Sequence, residues 1–309
     1  MSSSRGVLIV GGPTAAGKTE LAVALAERFD AEIVGADSRQ IYRGMPIGTA
    51  APSAEQRARV PHHLVGVLDP YERYSAARFA HDALAAIREI EARGKRVVVV
   101  GGTGFYLRAL CGDVALSDAY DAGLRARLAR EFGVHPPEVM HAWLAARDPA
   151  RAAAVVPGDR YRVARALEIA LCDATNGRSA AVPQESLRSA DMPFVKLWLE
   201  VPAEVLEARI GARVERMLEA GLLEEAERIG GSAVAADAVG YLQALAHLAG
   251  LSTFDELRRG LARATRRYAK RQVTWSRSEP GVAFVPFDDL EVVARRAEQG
   301  LGWRRAGCP

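Results

Sequence analysis

Gly11-Gly12-Pro13-Thr14-Ala15-Ala16-Gly17-Lys18-Thr19 decides how the rest of the chain is read. It has the form G-x-x-x-x-G-K-[ST], follows the short apolar run Val7 to Val10, and opens a segment of helical spacing from Glu20 to Arg28. In that setting the glycines let successive backbone N–H groups turn inward, so that the loop and the helix N-terminus cradle phosphate oxygens. Lys18 adds a mobile cation, and Thr19 a hydroxyl suited to magnesium. The pattern arises by chance in roughly one chain of this length in a hundred. The strand before it and the helix after it are therefore what separate it from an ordinary Gly-rich turn. Which phosphate compound it holds, the loop leaves open.

Outward from the loop the same logic repeats. Glu32 to Ala36 reads as a second strand that delivers Asp37-Ser38-Arg39-Gln40 at its carboxyl end. Val97 to Val100 reads as a third, ending in Gly101-Gly102-Thr103-Gly104 after a long Ala-rich amphipathic segment, Ala76 to Arg93, stopped by Gly94. Unbroken apolar runs separated by helices imply a parallel sheet covered on both faces, an α/β fold of the P-loop NTPase-like kind. Ligands of such sheets collect beyond the carboxyl ends of the strands. Lys18, Asp37 and Thr103 are thereby expected on one edge of the molecule. From Val114 to Arg188 the strand signal disappears, and helical patterns (Leu124 to Phe132, Val139 to Ala146, Arg160 to Cys172) alternate with Pro136-Pro137, Pro149, Pro157-Gly158 and Asn176-Gly177. Residues 114–188 are thus expected to be a helical insertion domain, with 1–113 and 189–309 forming the core and its C-terminal helices. A strand returns at Phe194 to Val201. Helices follow at Ala203 to Ala220, Leu222 to Ile229, Tyr241 to Ala249 and Phe254 to Trp275, and Val282 to Val285 suits a last edge strand.

At 309 residues, with 49% apolar and 26% charged residues, the chain has the composition of a globular protein with a real core. The start, Met1-Ser2-Ser3-Ser4-Arg5, leads to too few apolar residues for a secretory signal, and no apolar run approaches bilayer length. A cytoplasmic monomer without membrane contact is the expectation. Cys111, Cys172 and Cys308 are scattered, and His62-His63 has nothing nearby to complete a zinc site. The net charge of +3 decides little, but Arg263, Arg266, Arg267, Lys270, Arg271 and Arg277 form a run without acidic interruption, with Tyr268 and Trp275 interleaved. That combination suits a surface that tracks a phosphate backbone and stacks bases; a solvated helix face is the alternative.

Taken together, several stretches closely resemble the tRNA dimethylallyltransferases, also called tRNA isopentenyltransferases. They are Gly12 to Thr19, Asp37 to Ala50, Pro61-His62-His63-Leu64, Gly101 to Leu107, Arg162 to Glu168, Met217 with Gly221-Leu222-Leu223, Gly240-Tyr241 and Thr265 to Gln272, in the family's order. The resemblance covers about Val7 to Arg277 and is far more specific than the phosphate loop alone. It implies transfer of a prenyl group from dimethylallyl diphosphate to the exocyclic amino group of an adenosine in the tRNA anticodon stem-loop, with a requirement for Mg2+. Carried over by position, Gly12, Pro13, Thr14, Ala15, Ala16, Gly17, Lys18 and Thr19 hold the diphosphate, and Thr19 also holds the metal. Asp37 is the general base, and Asp37, Ser38, Arg39 and Gln40 contact tRNA. Thr103 touches the reacting nucleotide, while Tyr161, Arg162, Val163, Ala164 and Arg165 match a tRNA-contacting stretch, with Arg125 at a further contact. Leu242 stands where the family usually has a basic residue, Ser276 where it has a bulky apolar one. A C-terminal zinc finger like that of the eukaryotic relatives is missing, so the resemblance is to the bacterial type.

The chemistry suits these residues. An adenine amino group is a poor nucleophile, so most help must go to the departing diphosphate, through backbone N–H groups, Lys18 and a metal on Thr19. A carboxylate can take the proton only once nitrogen has begun bonding to carbon. Alternatives stay open from the residues alone. The loop suits a nucleoside or small-molecule kinase, Asp37 suits a magnesium-associated acid, Thr103 suits a helix cap, and Arg162 and Arg165 suit a solvated helix face.

Overall fold

The computed structural model describes residues 6–116, 121–176 and 184–306. Met1 to Arg5, Gly177 and Cys308 lie outside them. The chain divides into two compact units, one running to Val114 and resuming at Glu185, the other Ala115–Gln184.

In chain order the first unit holds β1 (Val7–Gly11), α1 (Lys18–Phe29), β2 (Ala31–Gly35), α2 (Pro46–Thr49), α3 (Ala54–Arg59), β3 (His62–His63), α4 (Ala76–Ala92), β4 (Arg96–Gly101) and α5 (Gly104–Cys111). The second unit holds α6 (Ala122–Val134), α7 (Pro137–Arg147), α8 (Pro149–Ala153) and α9 (Arg160–Asn176). The first unit then resumes with β5 (Phe194–Glu200), α10 (Ala203–Glu219), α11 (Leu222–Ile229), α12 (Tyr241–Leu248), α13 (Phe254–Ser276), β6 (Val282–Pro286) and α14 (Leu290–Leu301).

The six strands form one sheet in the order β3-β2-β4-β1-β5-β6, every pairing parallel. β1 is central, with Gly11 level with Gly101 of β4 and Trp198 of β5. Because successive side chains point to opposite faces, Leu8 and Val10 join the cluster built with Leu25, Phe29 and α14, while Ile9, Val97 and Val99 are buried on the other face. Full burial of each such side chain contributes about 1.5–3 kcal/mol. The loop–helix boundary lies at Gly17, whose φ of 86° is open to glycine and costly for other residues, so α1 begins at Lys18.

The sequence reading passed over β3, α2, α3, α8 and α14. β3 is only two residues long and pairs with the edge of β2, too short to show periodicity. α2 is a single turn. α14 is capped by Asp289, which accepts the Val292 N–H at 2.9 Å, and it buries Val293, Ala294, Ala297 and Leu301 against the sheet. Beyond it Trp303 packs edge-on to Phe29 at 5.3 Å.

The second unit is helical, with a core of Leu128, Phe132, Met140, Leu144, Val163 and Leu167. Glu168, 1% exposed, accepts Arg125 Nε at 2.8 Å, Arg165 Nη1 at 2.6 Å and the Asp121 N–H at 3.2 Å. Burial alone would raise its pKa, but the two guanidiniums hold it below the ordinary carboxylate value. This unit ends at Gln184, ahead of Arg188, because Leu187 is buried in the first unit. There the Leu187 N–H donates to Leu110 O at 2.8 Å, and Glu185 pairs with Arg88.

One buried charge cluster ties β5 to the ends of α5 and α13. Lys196 Nζ lies 2.7 Å from Asp113 Oδ2 and 2.7 Å from Glu279 Oε1, with Arg188 and Arg108 on their outer sides at 2.8 and 2.7 Å. Burial would lower the Lys196 pKa; its two carboxylate partners outweigh that and raise it. Lys196→Met should therefore cost about 3 kcal/mol in urea unfolding, since it strands two buried carboxylates. Arg188→Met, at a more exposed position, should cost under about 1 kcal/mol in the same measurement.

Candidate active site

A cavity of about 1020 Å³ opens at the carboxyl ends of the strands, and its described lining residues belong to the first unit, among them Lys18, Thr19, Asp37, Arg213 and Gln272. Six of the described lining residues are Lys or Arg, against three Asp or Glu, which suits a polyanionic ligand.

The phosphate loop forms its floor. Lys18 Nζ donates to Gly12 O at 3.0 Å and Pro13 O at 2.7 Å. The residue is partly exposed, but its ammonium is enclosed. Burial lowers the Lys18 pKa to about 8; Asp37 acts the other way, and Arg213 adds to the lowering. Arg209 Nη1 donates to Ala16 O at 3.1 Å while its guanidinium lies over the Phe287 ring at 4.4 Å, which braces the loop from α10. One helical turn on, Arg213 Nη2 donates to Thr49 O at 3.2 Å, and its Nε is buried without a hydrogen-bond partner among the described residues. Burial lowers the Arg213 pKa, against the pull of Asp37.

Asp37 sits where β2 ends. Its Oδ1 accepts the N–H groups of Arg39 at 2.9 Å and Gln40 at 3.3 Å, so the carboxylate is oriented by its own turn. Thr103 occupies the first position before α5, but its side chain makes no capping bond. The alternative of a helix cap is thereby disfavoured: Oγ1 accepts the Ser38 N–H at 3.0 Å instead, across 65 residues. Thr103 lies beside the cavity behind Ser38 and is not one of the residues that line it. Arg39 makes a two-pronged ion pair with Asp237, at 2.9 and 3.1 Å, at the cavity wall.

α13 closes one side. The basic run lies along its exposed face, where Arg266 pairs with Glu207. The aromatic residues expected to interleave on that face turn inward. Tyr268 lines the cavity, where burial and then Asp37 raise its pKa. Trp275 packs beneath Gly104 and lies 5.9 Å from Trp198. Gln272, 6% exposed, accepts the Thr14 N–H at 2.8 Å and donates to Gly102 O at 2.9 Å.

The fourth wall is α2. Glu225, fully buried, accepts the N–H groups of Ile47 at 3.0 Å and Gly48 at 2.7 Å and the Tyr241 hydroxyl at 2.6 Å. This explains the Gly240-Tyr241 pair in structural terms: the phenol reaches a carboxylate that holds α2 in place. Leu242 beside it is 55% exposed, and Ser276 is buried, its hydroxyl donating to Val273 O at 2.9 Å.

In the second unit, Tyr161 is 80% exposed and Arg162 pairs only loosely with Asp159 at 3.4 Å. Val163 is fully buried in the core of that unit, so its side chain packs rather than faces a partner. Arg125 and Arg165 share the buried Glu168. The sequence reading assigned no role to Arg209, Arg213, Glu225 or Gln272. Only the i, i+4 spacing of the first two hinted at a common face.

Comparison with known proteins gives a consistent picture. The family described as IPP transferase matches residues 40–279. A tRNA dimethylallyltransferase of Anaeromyxobacter dehalogenans (strain 2CP-C) is 47% identical over 298 residues, covering 95% of this chain and 99% of the relative. One of Geobacter sulfurreducens is 42% identical over 94% of this chain and 96% of the relative. Among solved structures, the tRNA isopentenylpyrophosphate transferase of Bacillus halodurans superposes with a TM-score of 0.70 at 34% identity, covering 96% of this chain and 97% of that one. A eukaryotic dimethylallyltransferase acting on tRNA gives a TM-score of 0.72 at 26% identity, covering 96% of this chain and 77% of that one.

The lowered Lys18 pKa has a consequence for anion binding. A polyanion favours the ammonium form, so anion affinity should weaken as pH rises above about 8, approaching tenfold per unit. Calorimetric titration should show this break in the native protein and its loss in Lys18→Met.

Proposed function

The chain belongs to the IPP transferase family, and from that premise we propose that it transfers a dimethylallyl group from dimethylallyl diphosphate to the exocyclic amino group of the adenosine adjacent to the anticodon in tRNA. The observation that supports this most is that the phosphate loop and Asp37 face one cavity, close enough for the carboxylate to act on the Lys18 ammonium. The matches to prenyltransferases favour this reading over a kinase. In this reading the protein works as a monomer in the cytoplasm, beside its tRNA.

In this reading, Gly12 to Thr19 hold the diphosphate through backbone N–H groups, Lys18 and the Thr19 hydroxyl. Arg213 faces the same space with a donor to spare. A magnesium ion fits in one way. The cavity offers a hard oxygen donor at the Thr19 hydroxyl, and among the described residues no group of three or more His, Cys, Asp or Glu could hold a metal unaided. The ion would be shared with the diphosphate oxygens, as magnesium prefers, and when bound would offset charge on the leaving group.

The target base, stacked in its loop, must be turned out to enter the cavity. As the nitrogen bonds to the allylic carbon, the bond from that carbon to the diphosphate oxygen breaks and the diphosphate leaves with the electron pair. Asp37 Oδ2 then receives the N–H proton. Oδ1 stays held by Arg39 and Gln40, so the base keeps its aim. Fixed donors directed at the departing diphosphate supply the larger share of the barrier reduction. Asp37, Ser38, Arg39 and Gln40 offer contacts to the RNA around the reacting base, with Thr103 acting through Ser38. The exposed cations of α13 and, in the second unit, Tyr161 and Arg162 suit the RNA backbone.

Incubation with dimethylallyl diphosphate, magnesium and an anticodon stem-loop should add one prenyl mass to the RNA. Asp37→Ala should lower turnover by about 10²- to 10⁴-fold while RNA affinity stays within about threefold. No mass gain with folded protein, or undiminished turnover in Asp37→Ala, would count decisively against this mechanism.

A further inference from the structure

We propose that Gln272 is a positioning residue: its side-chain amide clamps the phosphate loop to the Gly102–Thr103 turn and thereby fixes the separation of diphosphate and base. The inference rests on the reading of the site given above. Oε1 accepts the Thr14 N–H at 2.8 Å, and Nε2 donates to Gly102 O at 2.9 Å. One partner is a pure donor and the other a pure acceptor, so they also settle which end of the amide is oxygen. The fit is close, since a Cβ on Gly102 would fall 2.2 Å from Nε2. The next residue, Thr103, carries the hydroxyl that accepts the Ser38 N–H, and Ser38 follows Asp37.

One buried amide thus stands between the loop that holds the leaving group and the turn that holds the base. It is borne on the last turn of α13, a helix of 23 residues, and that turn is anchored by Trp275 beneath Gly104. A side chain of this shape must both accept and donate. A carboxylate would set charge against the Gly102 carbonyl, and a thioether would leave the Thr14 N–H and the Gly102 carbonyl without a partner. The clamp also withdraws the Thr14 N–H from the phosphate-facing set, so the loop contributes its remaining amides in a fixed arrangement. Loss of the clamp leaves Lys18, Thr19 and Asp37 present but their spacing loose.

Gln272→Met and Gln272→Glu test this. In Gln272→Met, kcat should fall about 10- to 100-fold, the scale of a small misplacement of reacting groups. The KM for dimethylallyl diphosphate and the Kd for the anticodon stem-loop should each stay within about threefold. Gln272→Glu should match it near neutral pH, but its kcat relative to the native protein at the same pH should recover on acidification. A protonated carboxyl can accept from Thr14 and donate to Gly102 at once. Gln272→Met should show no such recovery. Amide hydrogen exchange at Thr14 should accelerate at least about tenfold in Gln272→Met.

A kcat within twofold of native in Gln272→Met, a loss matched by the fraction unfolded in thermal denaturation, or no acid recovery in Gln272→Glu would each overturn the proposal. So would unchanged exchange at Thr14. Failure of the native protein to prenylate RNA would instead sink the reading of the reaction, and Thr14 exchange would still decide whether the clamp exists.

Discussion

Everything at the cavity depends on how closely two strand ends approach. A Cβ on Gly101 would lie 2.0 Å from the Ala36 carbonyl oxygen, so only glycine lets the end of β4 press against the end of β2. That approach allows the Thr103 N–H to reach Ala36 O at 3.3 Å and the Ser38 N–H to reach the Thr103 hydroxyl. Gly104 repeats the device on another side, where a Cβ would collide with the Trp275 ring at 2.3 Å. α13 can thus lie directly against the turn. Parallel sheets gather ligands at such an edge in general; here the missing side chains draw an acid, a hydroxyl and a phosphate cradle into the same few ångströms.

The electrostatics follow from the same crowding. Several cations face the cavity, yet most are restrained by neutral or acidic partners within the protein: Lys18 by two carbonyls, Arg209 by Ala16, Arg39 by Asp237. They are held in place before any substrate arrives, and preorganised charge is worth more to a reaction than charge that must be gathered during it. The cost is visible in burial, which makes both Lys18 and Arg213 less willing to stay protonated. An arriving polyanion relieves that cost, which couples tight binding to the state that the chemistry needs.

What could be read beforehand was whatever local periodicity encodes. The strand, loop and helix around Lys18, the strand delivering Asp37 and the all-parallel sheet all follow from apolar runs of four or five residues and their punctuation. β3 and α2 are too short for any period to register. Gln272 was legible only as part of a resemblance, because its function lies in a contact 258 residues away. The aromatics of the basic stretch of α13 were misplaced for a simpler reason. Read linearly, Tyr268 and Trp275 interleave with the cations, but wound into a helix they join Thr265 and Gln272 on the inner face, as 3.6-residue spacing requires. The same winding puts Val163 inside the second unit while Tyr161 and Arg162 stay outside.

Glu225 carries a further implication. The starts of α1 and α2 both border the cavity, and the amide hydrogens of a helix start attract negative charge. At α2 those hydrogens are already taken by a carboxylate that the protein supplies from α11, sealed in by Tyr241. The chain has stoppered one of its own receptors for anions. An anion entering the cavity is therefore turned away from α2 and toward the start of α1.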